Sequence, residues 1–269
     1  MTVRRLAREA ADDFRSDLVP GIKSGADAER LVEELAFATA RLGILATDPP
    51  GLYAEVADPA GDLEERTWLA VEIALLGPLD ADPFSGVAAV RRSWASGEMP
   101  PLAEAEIGPR TGLDPARGAR TFDAYRVWAQ RSGSQAAGFA GDASWTPERR
   151  FDRVFERLGA RASMERDSRY DLLVTLGRLG LYELRGAALH VGGNDRVTIA
   201  AKRILGIGDS LLLERRATEL AEACEVPTEA LDLGFFNWER GTRTAGGIDP
   251  DTAPDAAAIA SGRAALGLD

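Results

Sequence analysis

Two glycines and one aspartate carry most of the chemistry that can be read from the chain. Leu176-Gly177-Arg178-Leu179-Gly180 is read as a two-glycine hairpin between two apolar-periodic segments. Such a turn needs residues without a Cβ, because positive φ angles and close backbone approach exclude side chains. A second helix is expected to follow, with the N–H groups at its start facing outward. Together with the helix dipole they suit a phosphate. Gly177 and Gly180 are therefore candidates for holding a nucleic-acid backbone, with Arg178 between them. The competing reading is a Schellman-type helix cap between core helices. Further on, Gly192-Gly193 forces a non-helical turn, and Asp195 stands at or near the N-cap of the helix beginning at Arg196. A carboxylate there serves as a cap, and it can also face a cleft and work as an acid, a base or an electrostatic stabiliser.

Arg185, Arg196, Lys202 and Arg203 are candidates for phosphate contact, weighed against solvated face charges. His190, the only histidine, is read as closing a helix after the hairpin, where the dipole favours an imidazolium; a catalytic role is the alternative. Tyr182, Asp232 and Trp238 are candidates for lining a pocket. Asp232 and Trp238 belong to LDLGFFNW, where Leu231, Phe235 and Trp238 recur at helical spacing, the pattern of core packing. Trp68, Trp94, Trp128 and Trp145 read as core or interface residues, with stacking of one of them on a flipped base as the alternative. One histidine and one cysteine, 34 residues apart, form no ligand cluster, so neither a metal nor a cofactor is expected.

The hairpin, a short spacer and then Asn194-Asp195-Arg196-Val197 running into Arg203-Ile204-Leu205-Gly206 resemble the helix-hairpin-helix DNA glycosylase superfamily. Its pattern is L-P-G-V-G-x-K-T-A followed by V-D-T-H-V-x-R-V-x-x-R-L-G. Three segments narrow the resemblance: ERTWLAVEIALLGPLDADPF (65–84), NDRVTIAAKRILGIGD (194–209) and EALDLGFFNW (229–238). They are similar to the alpha-glutamyl/putrescinyl thymine pyrophosphorylases, clade 3. The likeness covers 63 to 238, about two thirds of the chain. It implies two helical lobes around a cleft, a base in DNA flipped out of its stack, and Asp195 facing the sugar. It also implies base excision, or modification of a hypermodified thymine. The family hairpin has proline where Gly177 stands, and its lyase members carry a lysine where this chain has Tyr182. No Schiff-base strand cleavage is therefore implied.

The elements that must position these residues are helical. Leu31, Leu35, Ala38 and Leu42 share a face within 28–45, and 63–76 is a second helix stopped by Gly77-Pro78. Asp82-Pro83 is read as opening a helix through Trp94, with Asp82 as its N-cap. Segment 97–118 reads as a Gly/Pro-rich connection and 131–144 as a loop or linker. Helices are expected over 121–130, from Thr146-Pro147 to Leu158, and over 255–268. No long period-two alternation occurs, so the expected class is all-α. The expected division is an N-terminal helical region over 1–62, a core over 63–240 and a tail over 241–269.

The chain has 269 residues and a net charge of −11, which opposes duplex DNA binding. The charge is uneven, since 140–205 holds 12 Lys or Arg against 9 Asp or Glu. The single cysteine, Cys224, excludes a disulfide framework and an iron–sulfur cluster. No apolar leader follows the N-terminal charges and no run is long enough for a membrane span, so a cytoplasmic location is expected. The expected partner is DNA or a nucleotide substrate. A non-catalytic helical DNA- or protein-binding module, and an enzyme acting on free or RNA nucleosides, are the alternatives.

Overall fold

The computed structural model describes residues 12–268, the side chains of 115–117 apart. The N-terminal charges read above lie largely outside the described residues. The fold is all-α, with no strand among the described residues. Among the described residues twelve α-helices follow one another: α1 (Gly25–Thr47), α2 (Leu52–Ala57), α3 (Leu63–Leu76), α4 (Ser85–Val90), α5 (Pro115–Arg131), α6 (Gln135–Ala140), α7 (Pro147–Ala162), α8 (Arg166–Arg178), α9 (Arg196–Leu205), α10 (Ser210–Ala223), α11 (Thr228–Arg240) and α12 (Ala256–Leu266). No helix among them is long and apolar enough to cross a membrane.

The chain folds into two compact units that interleave along the sequence. One comprises Met1–Ala40, Ala187–Arg243 and Asp251–Asp269, and the other Arg41–Gly186 and Thr244–Pro250. This partition follows contacts rather than the sequential cut at 62 and 240.

In the first unit α9, α10 and α11 pack together, with α12 against α10. Two glycines let α1 approach closely. A Cβ on Gly234 would lie 2.6 Å from Leu35 Cδ2, and one on Gly262 2.9 Å from Val32 Cγ1. The buried carboxylate of Glu34 on α1 accepts Asn237 Nδ2 at 2.9 Å and Arg243 Nε at 3.1 Å.

In the second unit α3 pairs with α2 and α8, and α5 with α7. An aromatic chain runs through its core. Trp94, Trp68, Tyr125, Trp128, Phe139 and Tyr182 follow one another at ring-centroid distances of 5.3, 5.9, 5.4, 5.2 and 5.1 Å.

Three expectations are corrected by long-range contacts. The helix expected through Trp94 starts only at Ser85, capped by Phe84 instead of Asp82, and stops at Val90. Beyond that point its amides are claimed by α3: Arg92 N donates to Glu72 Oε1 at 2.9 Å, and Trp94 N and Ala95 N donate to Glu65 at 2.8 and 2.9 Å. The loop expected over 131–144 contains α6, capped by Ser134 and tied to Glu64 through the amides of Gln135 and Ala136. The helix expected between the two-glycine turn and His190 is absent, for no helix occupies 179–195.

Candidate nucleic-acid interface

The two-glycine turn is a Schellman cap. Gly177 is still inside α8, and Gly180 takes a left-handed φ of 73° just past its end. Leu181 N donates to Leu176 O at 3.0 Å and Gly180 N to Gly177 O at 3.2 Å, the paired bonds of that motif. These amides satisfy helix carbonyls and do not face a phosphate, which corrects the role expected of Gly177 and Gly180. Gly177 is required for packing, since a Cβ there would lie 2.3 Å from the Leu184 carbonyl oxygen.

The neighbouring candidates in this unit are also engaged internally. The Tyr182 hydroxyl shares a 2.7 Å hydrogen bond with Thr67, its ring stacks on Phe139, and burial pushes its pKa up to about 12. Arg185 pairs with Glu148. Arg178 closes the last turn of α8, half-buried.

In the first unit Asp195 is the N-cap of α9, as its position predicts. Its Oδ1 accepts Thr198 N at 2.8 Å and its Oδ2 accepts Thr198 Oγ1 at 2.7 Å. The carboxylate is half-buried, behind the exposed Gly192-Gly193-Asn194 approach. Upstream, Glu214 of α10 accepts the amides of Leu189 and Val191 at 2.8 and 2.6 Å. His190 lies between them with a φ of 54°, in irregular chain instead of at a helix end. Asp232 is buried within α11. Trp238 is buried too; its N–H donates to the Asp27 carbonyl at 2.9 Å and Arg30 lies 5.4 Å from its ring. Packing accounts for Trp238.

A second hairpin, not singled out by the sequence reading, connects α9 to α10. Val197, Ala200, Ala201, Ile204 and Leu205 bury one face of α9, leaving Arg196, Ile199 and Arg203 exposed. The helix ends on Gly206 at φ 66°, and after Ile207-Gly208 the side chain of Asp209 caps α10 by accepting Leu211 N and Leu212 N, both at 3.0 Å. The segment is thus helix, Gly-Ile-Gly, helix. From behind, Gly21 N donates to Ile204 O at 2.9 Å, an approach so close that a Cβ on Gly21 would lie 1.8 Å from Arg203 O.

At this hairpin the amides of Ile207, Gly208 and Asp209 donate to no acceptor among the described residues. Leu211 is 81% exposed and Leu212 49%, an apolar tip at the start of α10. Residues 196–216 hold five Lys or Arg against two Asp or Glu, a basic stretch on an acidic chain. Arg203 pairs with Glu239, and Arg215 and Arg216 with Glu219. Arg196 and Lys202 enter no ion pair among the described residues. The signal was in the sequence: a Gly-x-Gly followed by a capping aspartate between two apolar-periodic segments. The earlier LGRLG differs in its wider glycine spacing and in having no aspartate after it, and no helix follows it.

A second feature escaped the sequence reading altogether. In the other unit Asp171 of α8 accepts Arg110 Nη1 at 2.7 Å and lies 3.2 Å from Arg41 Nη2, all three buried. Arg41 Nε also donates to the Gly246 carbonyl at 2.8 Å, and its Nη2 lies 3.3 Å from the Tyr53 hydroxyl. Burial on its own would raise the Asp171 carboxyl, but Arg41 and Arg110 outweigh it and hold the group below the usual carboxylate range. The partners are 61 to 130 positions away in the chain, beyond the reach of any local pattern.

Compared with models of known protein families, with curated proteins and with solved structures, the chain matches none.

Proposed function

We propose that the chain binds nucleic acid through the α9–α10 hairpin and acts there on a base or nucleoside, in the manner of the helix-hairpin-helix glycosylases that its sequence resembles. The observation that carries the reading is the hairpin itself. Three consecutive backbone amides after Gly206, those of Ile207, Gly208 and Asp209, have no acceptor among the described residues and stand at the N-terminus of α10, beside a locally basic helix. Backbone N–H groups recognise phosphate without a strongly positive surface, so the reading is compatible with a net charge of −11. Asp195 is assigned the electrostatic or acid–base role towards the sugar. It caps the opposite end of α9, roughly 15 Å from the hairpin for ten residues of helix. That order, aspartate before hairpin, reverses the family pattern.

The test is binding to single- and double-stranded oligonucleotides from about 50 to 200 mM salt, the range over which phosphate contacts weaken steeply. Gly208 has open space where a Cβ would go, so Gly208→Glu places a negative charge at the amides without a clash. It should weaken binding roughly tenfold or more, and Lys202→Glu should lower the salt dependence. Absence of binding at the lowest salt sinks the proposal.

A non-catalytic binding module is the second reading, favoured because both Asp195 oxygens are already taken by Thr198, as in an ordinary cap. Asp195→Asn separates the two. Asparagine still accepts the Thr198 amide, so folding and binding persist in both cases, and only a catalytic carboxylate takes turnover of a modified-pyrimidine oligonucleotide with it.

A further inference from the structure

In the second unit, residues 91–98 form a strap laid on α3. They follow α4 with no helix or strand of their own, and most of them are exposed. Side chains of α3 and α5 hold the peptide groups of the strap. Glu65 gathers the Ser93 hydroxyl and the amides of Trp94 and Ala95 at 2.7, 2.8 and 2.9 Å. The Arg126 guanidinium lies 4.7 and 4.4 Å from the ring centroids of Trp68 and Trp94, and donates to the carbonyls of Trp94 and Glu98 at 3.4 and 3.3 Å. The Arg92 peptide is gripped from both sides. Its N–H donates to Glu72 Oε1 at 2.9 Å, and its carbonyl accepts the Trp68 indole N–H at 2.8 Å.

Glu72 is the unusual member of that grip. It is 1% exposed, yet it enters no ion pair among the described residues. The arginines around it are committed elsewhere. Arg91 forms a two-pronged pair with Glu55 of α2 at 2.8 and 2.9 Å. Arg92 lies 3.6 Å from Glu98 within the strap, and its Nη1 donates to the carbonyls of Val90 and Arg91 at 3.3 and 3.0 Å. A buried carboxylate with one amide donor and no cation of its own is costly to ionise, and contact with water relieves that cost. Glu72 and residues 91–93 line the same cavity of about 260 Å³ between α2 and α3. Lifting the strap removes one wall of that cavity and wets the carboxylate.

We propose that residues 91–98 are a pH-gated strap: protonated Glu72 keeps it closed on α3, and ionisation of Glu72 favours its release, opening the cavity and the Trp68–Trp94 end of the aromatic chain. The device is separate from the α9–α10 hairpin and does not rest on the nucleic-acid reading. Its direction follows from linkage. Burial, countered in part by the Arg92 amide, Arg91 and Trp68, leaves the Glu72 pKa at about 7 with the strap closed, and Glu65 adds repulsion. With the strap released the carboxyl returns towards its ordinary value of 4.5. The released state therefore binds fewer protons and gains population as pH rises. The other charged groups facing Glu72 are Arg91 and Arg92 of the strap, Arg126 of α5 and Glu65 on its own helix, with Glu55 of α2 behind Arg91. The arginines remain protonated across the neutral range. Burial would raise Glu65, but Ser93, Ala95 and Trp94 outweigh it and keep that carboxylate ionised.

The experiment is hydrogen exchange on the full chain from about pH 5.5 to about pH 8, read by NMR at the amides of Arg92, Trp94 and Ala95 and corrected for the base-catalysed intrinsic rate. The opening equilibrium should rise roughly twentyfold over that range, the ratio set by a carboxyl at about 7 when closed and 4.5 when open. Release is local, so about 1 M urea should leave it nearly unchanged while exchange from the core of α8 quickens. Glu72→Gln keeps an acceptor for the Arg92 amide but carries no charge, so its strap should open equally at both pH values. The pH series on the unaltered chain gives the answer even if that variant folds poorly. Strap protection that ignores pH, strap amides that follow α8 in urea, or an undiminished pH response in a folded Glu72→Gln would each overturn the proposal.

Discussion

Glu72 shows what a single buried carboxyl does to the molecule around it. Its folded pKa, about 7, lies above the unfolded value near 4.5. The sign follows directly. Stability is fully present below the unfolded pKa and falls as pH rises towards the folded one, because the unfolded chain ionises first. At pH 8 the loss is about 3 kcal/mol by the free-energy equivalent of the shift. Glu72→Gln should therefore be more stable than the parent at pH 8, by about 3 kcal/mol, with most of that gain gone at pH 5. Urea unfolding at the two pH values measures it, and a gain that does not change with pH counts against the assignment. The apolar run LAVEIALL around Glu72 marks it as buried, but it does not show its partners. Its environment is made by Arg92, twenty residues on, and by Trp68 on the same helix.

At the scale of elements, helix ends divide into those set locally and those set from afar. The ends of α3 were legible because Asp62 caps its first turn and Gly77 stops it, and the start of α7 because Thr146 caps it before a proline. Asp195 was legible for the same reason. The early stop of α4 was not, because Glu65 and Glu72 compete for its continuing amides from 20 to 30 residues upstream. Nor was α6, a six-residue helix hidden among glycines and held by Glu64. The hairpin was misplaced because the decisive fact, which glycine pair is followed by a helix, depends on residues 181–195 staying irregular. Two glycines of the α9–α10 region give a direct contrast. Gly21→Ala forces a Cβ into the Arg203 carbonyl and should destabilise by roughly 2–3 kcal/mol or more, whereas Gly208→Ala meets nothing within 4 Å. Thermal melts of both variants check this; equal melting temperatures would mean that Gly21 does not back the end of α9.

At the scale of the whole molecule, charge sits in two regimes. The excess of −11 is a surface property that salt screens. The Arg41–Asp171–Arg110 cluster is buried and screened far less. Removing the carboxylate while keeping the shape, as in Asp171→Asn, leaves two buried guanidinium groups without their anion and should cost about 3–5 kcal/mol. Because the folded Asp171 pKa is depressed, its contribution is present above the unfolded carboxyl pKa and is lost as pH falls through the lower folded value. The parent should thus lose stability on acidification below about pH 4 more steeply than Asp171→Asn. Chemical unfolding of both proteins from pH 7 to pH 3 tests the slope, and parallel curves would rule the cluster out as its source.

The interleaving of the two units sets an order of events during synthesis. A ribosome adds about 5 to 20 residues per second, and domains generally fold as they become complete. When the chain has reached Gly186, the second unit has all its helices but not the Thr244–Pro250 segment, so Arg41 still lacks the Gly246 carbonyl that receives its Nε. The first unit is further behind: α1 has been made, while α9 to α12 have not. The apolar face of α1, with Leu31, Val32, Leu35 and Phe37, must then wait through some 180 residues of translation, from Thr47 to Thr228, before α11 and then α12 are made to pack on it. A nascent chain halted near Gly186 leaves that face of α1 without the helices that cover it.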